Sequence, residues 1–174
     1  MKKLLTFSLL TLSLLAHAKD VKYYYGSVKY FGADGLTPIG DTVSLLERTI
    51  DPETNSITEV VLQPKTAGEK AQAYTTHIER IDGGNTFKTY DDGKTFSGTM
   101  VYSGDDWKWN QWSYDLNVMG GLLKGKGQLS SAGIETEKTF TKKTGEIVML
   151  IRDQLSEISA KKYQKLKKEI SSGK

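Results

Sequence analysis

WKWNQWSYDLNVMGGLLKGKGQLSSAGIETEKTFT, residues 107–141, decides the fold. Its middle run has period two, with Leu123, Gly125, Gly127 and Leu129 on one face and Lys124, Lys126 and Gln128 on the other. That is the pattern of a strand with one face in a core and one in water. The flanking runs, 107–118 and 134–141, are separated from it only by Gly120-Gly121 and Ala132-Gly133. Connections this short cannot hold a crossover helix, so the three strands must pair antiparallel in sequence order. The two glycines on the inner face leave room either for a ligand or for a bulky neighbour; a Trp ring from the preceding strand is the expected occupant.

The same rhythm extends in both directions. Strands are expected at 21–31, 42–50, 56–63, 72–81, 86–91, 94–103, 107–118, 122–130, 134–141 and from 146 to about 152. Between them lie turn residues such as Asp51-Pro52-Glu53-Thr54-Asn55, Asp82-Gly83-Gly84-Asn85, Asp92-Gly93 and Thr144-Gly145. The reading is all-β: an up-and-down antiparallel meander of about 8–10 strands, with closure into a barrel as the least costly way to remove its two edges. A sandwich, the alternative, needs longer Greek-key excursions. After Ser159, residues 160–171 read as a C-terminal α-helix with Tyr163, Leu166 and Ile170 as its apolar stripe and lysines elsewhere. Either the stripe packs on the barrel or the lysines meet an anionic membrane surface.

The chain opens with Lys2 and Lys3, an apolar run from Leu4 to Leu15, and Ala16-His17-Ala18. This is the layout of a signal peptide, residues 1–18, ending at a small-x-small cleavage site. The run is shorter than the roughly 20 apolar residues of a membrane span. Residues 19–174 are then a single domain, periplasmic or secreted, and with no cysteine the usual lipid attachment point is missing. Removing Lys2 and Lys3 lowers a net charge of only +3, so no global field attracts nucleic acid and none is expected as a partner. The lack of cysteine also excludes a disulfide framework and a thiolate metal site, and no cofactor is implied.

Of 24 basic residues only Arg48, Arg80 and Arg152 are arginine, and all three fall within expected strands. Arg48 shares a face with Leu46 and Ile50, Arg80 with Tyr74, Thr76 and Ile78, and Arg152 with Val148 and Leu150. A planar guanidinium suits partly buried recognition of an acid. Either one or two of them therefore point into the barrel and hold the acidic head of an apolar ligand, or they pair across strands with Glu47, Glu59, Glu79 or Glu157 or lie exposed on the outer wall. All three tryptophans lie between Trp107 and Trp112. Trp107 and Trp109 are expected on one face, but Trp112 and Tyr114 share a face with Lys108 and Asn110, so a bulge that switches parity is expected midway. These rings either pack across the barrel or line a pocket. His77, the sole histidine after processing, has Thr75 and Glu79 as same-face neighbours and is the one residue on which a general base can be built.

An early strand containing Tyr25-Gly26-Ser27-Val28, a continuous meander, strand-embedded arginines and a C-terminal helix together resemble the calycin superfamily, the lipocalin-like and fatty-acid-binding-protein-like barrels. The resemblance implies a protein that binds a small apolar or amphipathic ligand in its barrel; with the leader and the strand-embedded arginines the expectation is an exported one, its ligand a molecule such as a lipid-like acid. The candidate ligand-binding residues are Arg48, Arg80, Arg152, Tyr74, Trp107 and Trp109. Two alternatives are an isomerase- or hydrolase-type enzyme on the same barrel using His77, and an envelope module that meets a protein or the membrane surface through the Lys-rich helix.

Overall fold

The computed structural model describes residues 19–64, 71–81, 83–93, 95–104 and 107–172; the expected signal peptide, 1–18, lies outside the described residues. Ten strands follow one another: β1 (Asp20–Phe31), β2 (Pro38–Asp51), β3 (Ser56–Gln63), β4 (Gln72–Arg80), β5 (Thr86–Asp91), β6 (Phe96–Ser103), β7 (Gln111–Val118), β8 (Gly121–Ser130), β9 (Gly133–Lys142) and β10 (Ile147–Ile158). Each pairs antiparallel with its sequence neighbour. β10 returns to β1, from Tyr23 opposite Ile158 to Phe31 opposite Leu150. The result is a closed up-and-down barrel with one C-terminal helix, α1 (Ala160–Ser171). A closed up-and-down barrel is an architecture that unrelated families share, so it points to no particular one.

Closure brings backbones close together. Gly26 of β1 lies opposite Leu155 of β10, and a Cβ there would run into the Gln154 carbonyl, so the seam admits no side chain at that point. The turns use residues that tolerate a left-handed backbone, as at Asn55, with φ 53°, and Gly120, with φ 90°.

Three strand boundaries depart from expectation. β2 starts at Pro38 rather than near 42, because proline costs no ladder bond at the first position of a strand. β7 starts at Gln111 rather than 107. β10 runs on to Ile158, past an inward-facing Asp153 that breaks the apolar alternation read from sequence.

Alternation divides the barrel into two packed regions. Inside, one end is sealed by Tyr24, Ile57, Ile78, Phe87, Tyr102, Trp109 and Trp112. Outside, Leu45 and Leu62 are buried beneath α1, whose Tyr163 is 1% exposed and stacks on Tyr23 with ring centroids 4.5 Å apart. Ser159 caps the helix by accepting from the Lys162 N–H at 3.3 Å. Leu166 and Ile170 pack on the same cluster, so the apolar stripe is spent on the barrel wall.

Candidate functional site

Above the sealed end, the interior holds a cavity of about 680 Å³. Its floor is Leu46, Met100, Trp112, Ile134 and Leu155. Around its waist run Ser44, Glu59, Tyr74, Thr76, Thr89, Tyr114, Lys138 and Asp153, and toward the far end of the strands come Gln63, Gln72, Asp91, Phe96, Leu116, Val118 and Leu123. The loops at that end, β1–β2 and β7–β8, carry the two most exposed large apolar side chains among the described residues, Leu36 and Met119.

The floor is shaped by β8. A methyl at Gly127 would overlap the Trp112 indole, and one at Gly125 would meet Tyr114 Cζ at 2.5 Å. The glycines therefore make room for neighbouring rings, as the sequence pattern indicated, and those rings lie against the wall.

The waist is polar but internally matched. Asp153 Oδ2 accepts from Thr136 Oγ1 at 2.7 Å and is ion-paired with Lys138. Asp153 is 9% exposed, and its Oδ1, like the Thr89 hydroxyl, has no hydrogen-bond partner among the described residues. An unpartnered buried polar group costs roughly 1–3 kcal/mol. Asp91 accepts from Thr95 Oγ1 at 2.7 Å and from the Phe96 N–H at 3.0 Å; burial opposes its ionisation, but these bonds outweigh burial and hold its carboxyl below the usual range. Tyr74 and Tyr114 are pushed upward, first by burial and then by the nearby Asp153 carboxylate. Both phenols stay neutral and serve as donors and acceptors.

Arg48, which the sequence placed on one face with Leu46 and Ile50, faces inward but lies below the cavity floor at 5% exposure. Its Nε is 3.5 Å from Glu59 Oε1, its Nη2 donates to Tyr102 Oη at 3.2 Å, and its guanidinium stacks 5.1 Å from the Trp112 ring. Arg80 also turns inward, at the sealed end, 4.3 Å from the Trp107 ring and 5.1 Å from that of Trp109. Arg152 is on the outer wall, where its Nε donates to Glu137 at 3.1 Å and its guanidinium covers Phe31. The face it shares with Val148 and Leu150 is the outer one. Apolar residues on both faces from Ile147 to Ile151, and a register irregularity between Ile147 and Met149, hid the parity of β10.

Among the sequence candidates, Tyr74 lines the cavity. Trp107 and Trp109 precede β7 rather than belonging to it, and Trp107 has φ 59°, a conformation that a bulky side chain rarely takes. The expected parity switch is thus the end of a strand, and it folds both rings over Phe87 at the sealed end. His77 is on the outer wall, hydrogen-bonded to Asp92 at 2.6 Å and stacked on Tyr90, away from Arg48 and Glu59. Sequence reading named Glu59 as an arginine partner, which it is for Arg48, but missed Lys138 and Asp153 as interior groups. The signal was available on β9, where Lys138 shares a face with Ile134 and Phe140.

No protein-family model matches the chain, and no curated protein matches it. Among solved structures, the dehydratase domain of the polyketide PpsC from Mycobacterium tuberculosis aligns over 80% of this chain and 76% of its own length, at 7% identity and a TM-score of 0.21. A likeness at that score carries no argument about this chain.

Proposed function

We propose that this is an exported protein that holds a small apolar or amphipathic molecule inside its barrel. The observation that carries the reading is the cavity of about 680 Å³, with an apolar floor and a waist of a few convergent polar groups. Small-molecule sites have this size and this lining. Export is inferred from the basic, apolar and small-residue segments of residues 1–18. Contact between α1 and a membrane surface would have to rest on its lysines alone, because Tyr163, Leu166 and Ile170 are engaged with the barrel.

The test is uptake of N-phenyl-1-naphthylamine, a neutral apolar fluorophore, by the processed protein. Saturable 1:1 binding is expected, with energy transfer from tryptophan that weakens in Trp112→Phe. Absence of saturable uptake, together with native mass spectra showing no co-purifying small molecule, would refute the reading. The mature product of export should begin at Lys19 on N-terminal sequencing; a retained leader would refute processing at Ala18.

A further inference from the structure

We infer that the molecule held in the barrel carries a cationic head, an ammonium on an apolar or aromatic body, rather than an acidic one. The inference rests on the small-molecule reading above and assigns its ligand class. The carboxylates facing the cavity are Glu59, Asp91 and Asp153; Glu59 already has Arg48 as its cation and Asp153 has Lys138, while Asp92 at the rim is bonded to His77 of the outer wall. The arginines that an acidic head would seek are elsewhere: Arg48 is sandwiched under the floor between Glu59 and Trp112, and Arg80 is stacked at the sealed end.

Asp153 and Lys138 decide the sign of the head. An anionic head could reach Lys138 only by drawing it away from Asp153, leaving a carboxylate 9% exposed without its cation in an interior that also holds Glu59. A cationic head does the opposite. Asp153 has acceptor capacity to spare at Oδ1, and an ammonium brings three donors. The Lys138 side chain, 23% exposed and on a flexible stem, can give way toward water. Tyr74, Phe96, Trp112 and Tyr114 border the same space, and aromatic rings attract cations most strongly where water is excluded.

Calorimetric titration of the processed protein with decylammonium, decanol and decanoate, below their aggregation concentrations and at neutral pH, separates the possibilities. Decylammonium is expected to bind about tenfold or more tighter than decanol, with decanoate weakest. Lys138→Met should tighten decylammonium without improving decanoate, and Asp153→Asn should weaken decylammonium selectively. If decanoate binds best, or the three bind alike, the assignment of charge is wrong while the small-molecule reading stands. If the protein takes up N-phenyl-1-naphthylamine but none of the decyl compounds, the assignment again fails alone. If it takes up none of the four, both fall.

Discussion

Replacing Arg48 by methionine tests how the floor of the cavity is held. The guanidinium is 5% exposed and its Nε lies 3.5 Å from Glu59 Oε1, so at an effective dielectric of about 20 the gross attraction is about 5 kcal/mol. Desolvation of both groups offsets much of it. The net worth of the pair is therefore small, but the cost of breaking it is not. Arg48→Met keeps the apolar stem and leaves the Glu59 carboxylate facing the interior without its cation. Loss of one partner from a fully buried pair costs roughly 3–5 kcal/mol. The Glu59 side chain is 22% exposed, which lowers the expectation to about 2–4 kcal/mol.

The double variant Arg48→Met with Glu59→Gln should recover most of the loss, to within about 1 kcal/mol of the parent, because neither charge is then stranded. Urea unfolding followed by tryptophan emission and far-ultraviolet circular dichroism gives the stabilities of the parent, Arg48→Met, Glu59→Gln and the double variant. Refutation would take either of two forms: a single-variant cost below about 1 kcal/mol, or a double variant as unstable as the two single losses added together.

Alkali should unfold the barrel in a defined window. Burial pushes the Tyr24 phenol up from 10.0 to about 12, although Arg48 opposes the rise. Its folded state binds the proton more tightly than the unfolded state, so the stabilisation is fully present below pH 10 and is lost as pH rises toward 12. Tyrosinate absorbance at 295 nm should therefore rise in two stages, exposed phenols first and Tyr24 together with loss of the strand signal; a single stage with the fold intact would show that Tyr24 is reached by solvent. Gly127→Ala should destabilise by roughly 1–3 kcal/mol, as overpacking does, and shift tryptophan emission, because the new methyl overlaps the Trp112 indole. An unchanged unfolding midpoint and spectrum would mean that the ring has other space to occupy.

The barrel was legible because hairpin chemistry is local. Gly120-Gly121 and Ala132-Gly133 leave too little chain for anything but antiparallel return, and Leu123 and Leu129 alternating with Lys124 and Gln128 fix which face turns in. The site was legible only where alternation was clean. On β2 and β4 the inward orientation of Arg48 and Arg80 follows from their apolar face-mates. On β10 the continuous run from Ile147 to Ile151 conceals parity, so the sequence left open whether Arg152 faces inward, and Asp153, which does, was passed over. Depth was illegible as well. Parity says that Arg48 points inward, but whether it lies above or below the floor depends on where Tyr102 and Trp112 arrive from β6 and β7, a relation between strands far apart in sequence.

The β8 glycines connect the pattern of the chain to the existence of the cavity. Trp112 and Tyr114 project inward from β7, and in a barrel of ten strands two such rings would close much of the lumen if they crossed it. Because Gly127 and Gly125 stand opposite them on β8 and offer no Cβ, the rings lie flat against that strand instead. At the sealed end the tryptophans reach the interior differently. Trp107 and Trp109 come from the segment before β7, and Trp109 stacks on Tyr102 with centroids 4.8 Å apart and meets Phe87 edge-on. One aromatic cluster thus closes one end of the barrel while its extension along β7 keeps the other end open. Trp112 stands at the boundary, against Gly127 on β8 and 6.1 Å from the Tyr102 ring of the sealed end.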